Sequence, residues 1–208
     1  MIRKTLLVGT AFLIFACSND KKEENKEEES TSVITKTVNN VSNLSKVEDA
    51  AKKMEELSAK LKNIKPLSND ELKAAIPETL NGLKRKSFSA GNYGITGMST
   101  ISAEYGDDMK QVTINIVDGA GESGSAVIGL MAMSLGMETE SESNGTISKT
   151  TEINGQRSMT SDTKTEGSIS SSIKFIHNDR YSVDLEGRGY SLEELTAIKD
   201  KYDLSALK

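Results

Sequence analysis

Tight-turn signals separate runs of alternating apolar and polar residues through the second half of the chain. The signals are Gly106-Asp107-Asp108, Asn154-Gly155 and Asn178-Asp179. An Asn-Gly pair between alternating runs is the strongest short signal for a β-hairpin, because both residues tolerate the positive φ that the turn needs. Two strands joined by a tight turn pair antiparallel, and the alternation leaves one face polar. These signals therefore restrict the chain to folds built on an antiparallel sheet.

The alternation predicts six strands with one helix between them. The strands cover residues 101–105, 112–116, 147–153, 156–164, 169–177 and 181–185. Residues 125–136 are apolar nearly all round, and they are too few to cross a membrane, which takes ~20 apolar residues. We interpret them as a buried helix packed on the sheet.

A capping box, in which Ser is followed by Glu three residues later, begins each of three further predicted helices. The boxes are Ser45–Glu48, Ser68–Glu71 and Ser191–Glu194. The first of these helices covers residues 42–64, and Pro77 ends the second. The resulting order ααββαββββα predicts an α+β fold, with a mainly antiparallel sheet of about six strands and helices packed on one face.

The N-terminal residues indicate where the protein is located. Arg3 and Lys4 precede a short apolar run, residues 6–15, in the layout of a secretory signal. Ile14-Phe15-Ala16-Cys17 resembles the lipobox of bacterial lipoproteins, and the chain's only cysteine stands where a lipobox needs it. The resemblance implies that Cys17 is lipidated and becomes the acylated N-terminus, which tethers the protein to a lipid membrane. The alternative is an ordinary signal peptide with an incidental cysteine.

The residues after Cys17 are charged. Residues 18–32 contain no apolar side chain, so this segment is predicted to be disordered. We interpret residues 1–16 as a lipoprotein signal peptide, 17–41 as a disordered charged tether and 42–208 as a single α+β domain. Lys21-Lys22-Glu23-Glu24 resembles the lysine-plus-acidic signal that exports lipoproteins to the outer face of the outer membrane in some Gram-negative bacteria. The expected location is therefore the outer membrane, lipid-anchored, with the cell surface favoured over the periplasmic face.

A second resemblance covers residues 71–85, which read ELKAAIPETLNGLKR. They are similar to a block found in a group of uncharacterised bacterial secreted and lipid-anchored proteins. In that group, a segment containing leucine, proline, leucine and glycine leads from a helix into a sheet. The resemblance carries no catalytic residues, so it implies no activity.

Composition disfavours several kinds of recognition. The net charge is −5 and no basic patch is present, so nucleic acid is not expected as a partner. The chain has no Trp, 4 Phe and 5 Tyr, which supplies an aromatic platform for sugars poorly. We expect no cofactor. Once its one cysteine is lipidated the protein forms no disulfide, and its core must suffice for stability.

One glycine-rich segment spells the dinucleotide-binding fingerprint, at Gly119-Ala120-Gly121-Glu122-Ser123-Gly124. That motif requires a parallel strand–helix–strand unit, whereas hairpins follow this segment. A glycine-rich turn between a strand and a helix is therefore the preferred interpretation.

An acidic segment has a weak likeness to a calcium-binding loop. Glu140, Glu142 and Asn144 are spaced as ligands would be, followed by Gly145. However, the bidentate glutamate that such a loop needs at its twelfth position is displaced by one residue. These three residues are the weak metal candidates, and a solvated acidic loop is the alternative.

His177 is the only histidine, so a zinc site would need carboxylate partners alone. A Ser–His pair is possible because serines are many, although no G-x-S-x-G motif is present. The favoured function is a lipid-anchored, non-catalytic binding or interaction module for an unknown protein or small-molecule partner. The alternatives are an envelope hydrolase using His177 or a calcium-dependent surface protein. The Ser/Thr-rich hairpins of residues 139–174 offer a strand edge as a further route to a partner.

Overall fold

The computed structural model describes residues 28–91 and 97–208, with side chains from Ser45 onward. The chain divides into two units, Met1–Asn40 and Val41–Lys208, and of the first unit only the helical residues 28–40 are described. The helices are α1 (Glu28–Leu61), α2 (Asn69–Lys73), α3 (Gly121–Gly136) and α4 (Leu192–Asp200). The strands are β1 (Thr79–Leu80), β2 (Leu83–Gly91), β3 (Thr100–Gly106), β4 (Gln111–Asp118), β5 (Glu140–Ser143), β6 (Thr146–Ile153), β7 (Gln156–Thr165), β8 (Ser168–His177) and β9 (Tyr181–Arg188).

Within the described part of the chain, nine strands form one antiparallel sheet in the order β1-β2-β3-β4-β9-β8-β7-β6-β5. The α+β class is confirmed, as are the six predicted strands, which correspond to β3, β4 and β6 to β9. The last strand pairs with β4 on one side and β8 on the other. The sheet therefore joins the early hairpin β3-β4 to the late hairpins through β9.

The predicted strand number and element order were wrong, because β1, β2 and β5 were missed. The two-residue strand β1 and the mostly polar strand β5 show no apolar alternation. Their hairpin turns are nevertheless visible in the sequence as Asn81-Gly82 and Asn144-Gly145. Asn81 and Asn144 have φ values of 46° and 51°, as the turn requires.

Helices pack on both faces of the sheet, so the prediction of helices on one face was wrong. Successive residues of a strand point to opposite faces, and Phe175 and Ile176 on β8 mark the two sides. Phe175 belongs to the main core, which α2 and α4 complete. Ile176 packs against a smaller cluster contributed by α1 and α3. Both α3 and α4 contact β7, β8 and β9, and their membership of separate clusters places them on opposite sides of the sheet.

The helix boundaries agree with the sequence at α2 and α4 and differ at α1. The Ser68–Glu71 and Ser191–Glu194 capping boxes are both formed. The first helix begins at Glu28, before the predicted start at residue 42 and within the segment interpreted as a tether. Ser45 consequently lies inside α1, and the capping box predicted there is not a helix start.

Glycines bring α3 close to α1. A Cβ atom at Gly129 would meet the Ser58 hydroxyl and the Met54 side chain, and one at Gly136 would lie 2.6 Å from the Ala50 Cβ. The Ser58 hydroxyl also donates a hydrogen bond of 3.1 Å to the Ser125 carbonyl. These contacts run in opposite directions along the two helices, so α1 and α3 are antiparallel. The small residues are what permit the close approach.

Two buried tyrosines bind the segment after α2 to the core. The Tyr105 hydroxyl donates to the Pro77 carbonyl at 2.9 Å, and the Tyr202 hydroxyl donates to the Ala75 carbonyl at 2.6 Å. Burial raises the pKa of Tyr105 to about 12, and burial also raises the pKa of Tyr202. Because the folded state holds both protons more tightly than the unfolded chain does, their contribution to stability is complete below the ordinary tyrosine pKa of ~10.

We therefore expect the free energy of unfolding to fall as the pH rises from about 10 through the folded-state pKa values. The fall should be smaller in Tyr202→Phe, which has one fewer buried proton to lose. Urea unfolding at a series of alkaline pH values measures both slopes. Equal slopes for the wild type and Tyr202→Phe would contradict this interpretation.

No helix in the described part of the chain is long and apolar enough to cross a membrane.

Candidate functional site

Short polar side chains cover the part of the Ile176 face that lies away from α3. Ser148 pairs with Ser161, Ser161 with Ser172, and Ser172 with Glu186. Residues directly opposite on neighbouring strands share a face and lie ~5 Å apart. These four side chains therefore form one row across β6, β7, β8 and β9. We call Ser148, Ser161, Ser170 and Ser172 together the serine face.

The serine face is the floor of an open groove of about 710 Å³. Lys174, Asp184, Glu186 and Arg188 supply the charged groups of its lining. Met159 is the one large apolar side chain among the lining residues. The groove thus offers hydrogen bonds and charges to a ligand, and little apolar contact.

Lys174 and Asp184 form an ion pair at the side of the groove, with 2.7 Å between Lys174 Nζ and Asp184 Oδ2. The Asp184 side chain is 14% exposed and the Lys174 side chain 42%. The other carboxylate oxygen, Asp184 Oδ1, is buried and accepts no hydrogen bond from any described residue. An unsatisfied buried acceptor carries a free-energy cost, so a donor that reached Asp184 Oδ1 would stabilise the complex.

Glu186 lies in the row beside Ser172. Its Oε1 accepts a hydrogen bond of 3.3 Å from Asn115 Nδ2 on the neighbouring strand β4. Partial burial raises the pKa of the Glu186 carboxyl, and the Asp184 carboxylate raises it further. Glu186 is therefore a strong acceptor held next to a second negative group.

Arg188 is fixed at the end of the groove. Its Nη2 donates to Gln111 Oε1 at 3.0 Å and to the Asp108 carbonyl at 3.1 Å. A guanidinium has five N–H donors in a planar fork, so these two bonds leave others free to meet a ligand.

The backbone under the serine face is held rigid from the other side of the sheet. Ile173 on β8 and Leu185 on β9 are each 0% exposed in the main core, and Ser158 and Thr160 on β7 are buried on the same side. Serine is not among the residues that strands favour, which are β-branched and aromatic. Strand formation therefore does not explain the serines, whereas their small size opens the groove and their hydroxyls line it.

The groove supplies hydrogen-bonding and charged side chains. The groove contains no histidine and no cysteine among its lining residues. In residues 45–91 and 97–208, no three His, Cys, Asp or Glu side chains are grouped as metal ligands. What the groove can do is present fixed donors and acceptors to a polar ligand.

Cys17, the predicted lipidation site, lies outside the described residues, so lipidation stays a prediction. The calcium candidates are described, and they belong to a hairpin. Glu140 and Glu142 are alternate residues of β5, and Asn144 occupies the turn into β6 with φ of 51°. The structure brings no third carboxylate to them in the part of the chain that it describes.

We expect calcium to leave the melting temperature unchanged, because a ligand stabilises the native state only if it binds that state preferentially. Two carboxylates on an exposed edge strand lack the six to eight oxygen ligands that calcium takes. Thermal unfolding with and without calcium, for the wild type and for Glu142→Gln, measures this. A calcium-dependent rise that Glu142→Gln abolishes would instead support the calcium-dependent surface protein.

His177 ends β8 and lines a separate depression of about 380 Å³. Asp203 and Ser205 line the same depression. The Asp203 carboxylate accepts a hydrogen bond of 2.9 Å from the Ser205 backbone N–H, so one of its oxygens is directed at its own segment of the chain. Within the described chain, no hydrogen bond joins the His177 imidazole to a serine hydroxyl, which is the first contact that a Ser–His nucleophile needs.

The glycine-rich segment is a structural junction between β4 and α3. Asp118, at the end of β4, is fully buried and accepts hydrogen bonds from the Leu67 and Ala120 backbone N–H groups at 2.7 and 3.0 Å. The Arg180 guanidinium donates to both Asp118 oxygens at 2.7 and 2.8 Å. The Gly119 N–H donates to the Arg180 carbonyl at 2.9 Å. The preferred interpretation as a packed strand-to-helix turn is confirmed, because β4 pairs antiparallel with both of its neighbours.

Sequence reasoning missed the serine face. The available signal was the run Ser168-Ile169-Ser170-Ser171-Ser172. If this run is a strand, Ser168, Ser170 and Ser172 are alternate residues and lie on the same face. On one strand this pattern only indicates a polar side. The groove depends on the register of the consecutive hairpin-linked strands β6 to β9, which places the polar side chains of neighbouring strands in one row.

No protein-family model matches the chain, and the comparisons with curated proteins and with solved structures found no match.

Proposed function

We propose that this protein is a lipid-anchored binding module of the outer membrane, acting without catalysis and facing the cell surface. Lipidation at Cys17 would tether it, and the charged segment after Cys17 would signal its export. The observation that carries the binding role is the groove on the serine face, an open polar surface on a sheet whose opposite side is packed. The strands that carry its donors and acceptors are each paired on both sides in the sheet, which limits the backbone rearrangement that binding requires and so lowers its cost.

Site-specific photo-crosslinking in intact cells tests the binding role. A photoreactive amino acid would replace Ser172 in the groove or, as the matched control, Lys201 at the exposed end of α4. We expect one dominant adduct from position 172 and none from position 201. The absence of any adduct at position 172, or the same adducts at both positions, would contradict the proposal.

A hydrolase using His177 is the second candidate, favoured by the depression that His177 shares with Asp203 and Ser205. Hydrolysis of p-nitrophenyl acetate by the purified protein, compared with His177→Ala and Ser205→Ala, separates the two functions. We expect the same background rate from all three proteins. A rate that both substitutions abolish would favour the hydrolase.

A further inference from the structure

The groove on the serine face contains both hydrogen-bond donors and hydrogen-bond acceptors, and its charged side chains sum to zero. Lys174 and Arg188 supply cationic donors, and Asp184 and Glu186 supply anionic acceptors. Two charges of each sign cancel, so the groove has no field that would concentrate a polyanion or a polycation. The serine hydroxyls add groups that both donate and accept.

We propose that the groove binds an extended, neutral glycan whose chain lies across β6, β7, β8 and β9. This inference rests on the proposed binding function and names its ligand class. The hydroxyls of a neutral glycan are donors and acceptors in equal measure, as the serines are. Its hydroxyl donors also suit the carboxylates of Glu186 and Asp184. The Lys174 side chain is 42% exposed and pairs with Asp184 Oδ2, whereas the buried Asp184 Oδ1 accepts no hydrogen bond from a described residue.

The dimensions of the row fit several consecutive sugars. Ser148, Ser161, Ser172 and Glu186 follow one another on four neighbouring strands. Since strands lie ~4.8 Å apart, the row extends over roughly 14 Å and repeats polar groups at a spacing close to the length of a sugar ring. An extended glycan crossing the strands would therefore meet one polar side chain at each step.

The same surface is poorly suited to a peptide. The backbone groups of β7 and β8 are already paired on both sides, which leaves none for an added strand. Peptide side chains also need apolar pockets as anchors, and Met159 is the only large apolar side chain in the lining. No aromatic ring lines the groove, so recognition would depend on hydrogen bonds rather than on stacking.

The test is a titration of the full-length protein in detergent, followed by backbone amide NMR signals. The probes are cellohexaose and chitohexaose as neutral glycans, a hexagalacturonate as an anionic glycan, and hexaserine as a peptide. The variant Ser161→Val/Ser172→Val removes two hydroxyls, and it should fold because valine favours strands. Ser102→Val is the matched control, on the same face but on β3.

We expect at least one neutral hexasaccharide to shift the amide signals of β7 and β8 in a saturable manner. The double valine variant should bind it roughly tenfold more weakly, as the loss of two neutral hydrogen bonds predicts, and Ser102→Val should bind it unchanged. The inference is overturned if neither neutral glycan shifts these signals, if the double variant binds as tightly as the wild type, or if hexagalacturonate or hexaserine binds there more tightly. A retained adduct at position 172 in the crosslinking experiment would then show that the binding function survives and only the ligand class fails.

Discussion

Replacing Asp118 by alanine is expected to cost about 3–5 kcal/mol of stability, the range for removing one partner of a buried ion pair. The Asp118 side chain is 0% exposed and accepts four hydrogen bonds, two from Arg180 and two from the backbone N–H groups of Leu67 and Ala120. The substitution leaves a half-buried guanidinium and two backbone donors without their acceptor. Urea unfolding measures the change in free energy.

Asp108→Ala is the matched control for this prediction. Asp108 forms an ion pair of 2.9 Å with Lys86, but its side chain is 97% exposed. Exposed pairs contribute at most ~1 kcal/mol, so Asp108→Ala should be nearly neutral. If both alanine variants lowered the free energy of unfolding by the same amount, that result would contradict the interpretation that the buried contacts of Asp118 stabilise the fold.

The second large effect is expected at Gly129, where α3 meets α1. Gly129→Leu should destabilise the protein by about 3 kcal/mol, the upper end of the usual cost of overpacking. The new side chain has to displace Ser58 and Met54, because a Cβ atom alone already meets both. Leucine is a better helix former than glycine by up to ~1 kcal/mol, so helix propensity acts in the opposite direction. A loss of stability would therefore report the clash between the two helices.

Leu130→Ala serves as the control on the same helix. Leu130 is 62% exposed, so its replacement should change the free energy of unfolding by no more than ~0.5 kcal/mol. Urea unfolding of both variants makes the comparison. If Gly129→Leu were as stable as the wild type, that result would contradict the close packing of α1 against α3.

Local signals in the sequence predicted much of the fold. The Ser68–Glu71 and Ser191–Glu194 boxes begin helices because their hydrogen bonds involve only neighbouring residues. Asn154-Gly155 forms the predicted turn for the same reason, with φ values of 52° and 78°. Asn81-Gly82 carried the same signal. It was missed because Leu80 and Leu83 have helical spacing and follow a proline.

The candidate site was harder to predict because it depends on the exact register of three successive hairpins. Ser161, Ser172 and Glu186 are polar positions on strands linked by hairpin turns, and a slip of one residue in either register would move them to opposite faces. Asn115, on β4, comes beside Glu186 through a long-range pairing, because β9 is inserted between β4 and β8. The face on which α3 packs was equally hidden, because a helix that is apolar nearly all round does not show which side it buries. Strand register and packing between elements, rather than local propensity, account for both failures.

Mass spectrometry of the mature N-terminus, from native membranes with and without brief protease treatment of intact cells, tests the central claim most directly. The proposal predicts an N-terminal peptide that begins at Cys17 and carries two or three acyl chains, with the attached domain removed by the protease. An acylated Cys17 whose domain is protected would contradict the surface location and place the module in the periplasm. An unmodified N-terminus would contradict the lipid anchor itself.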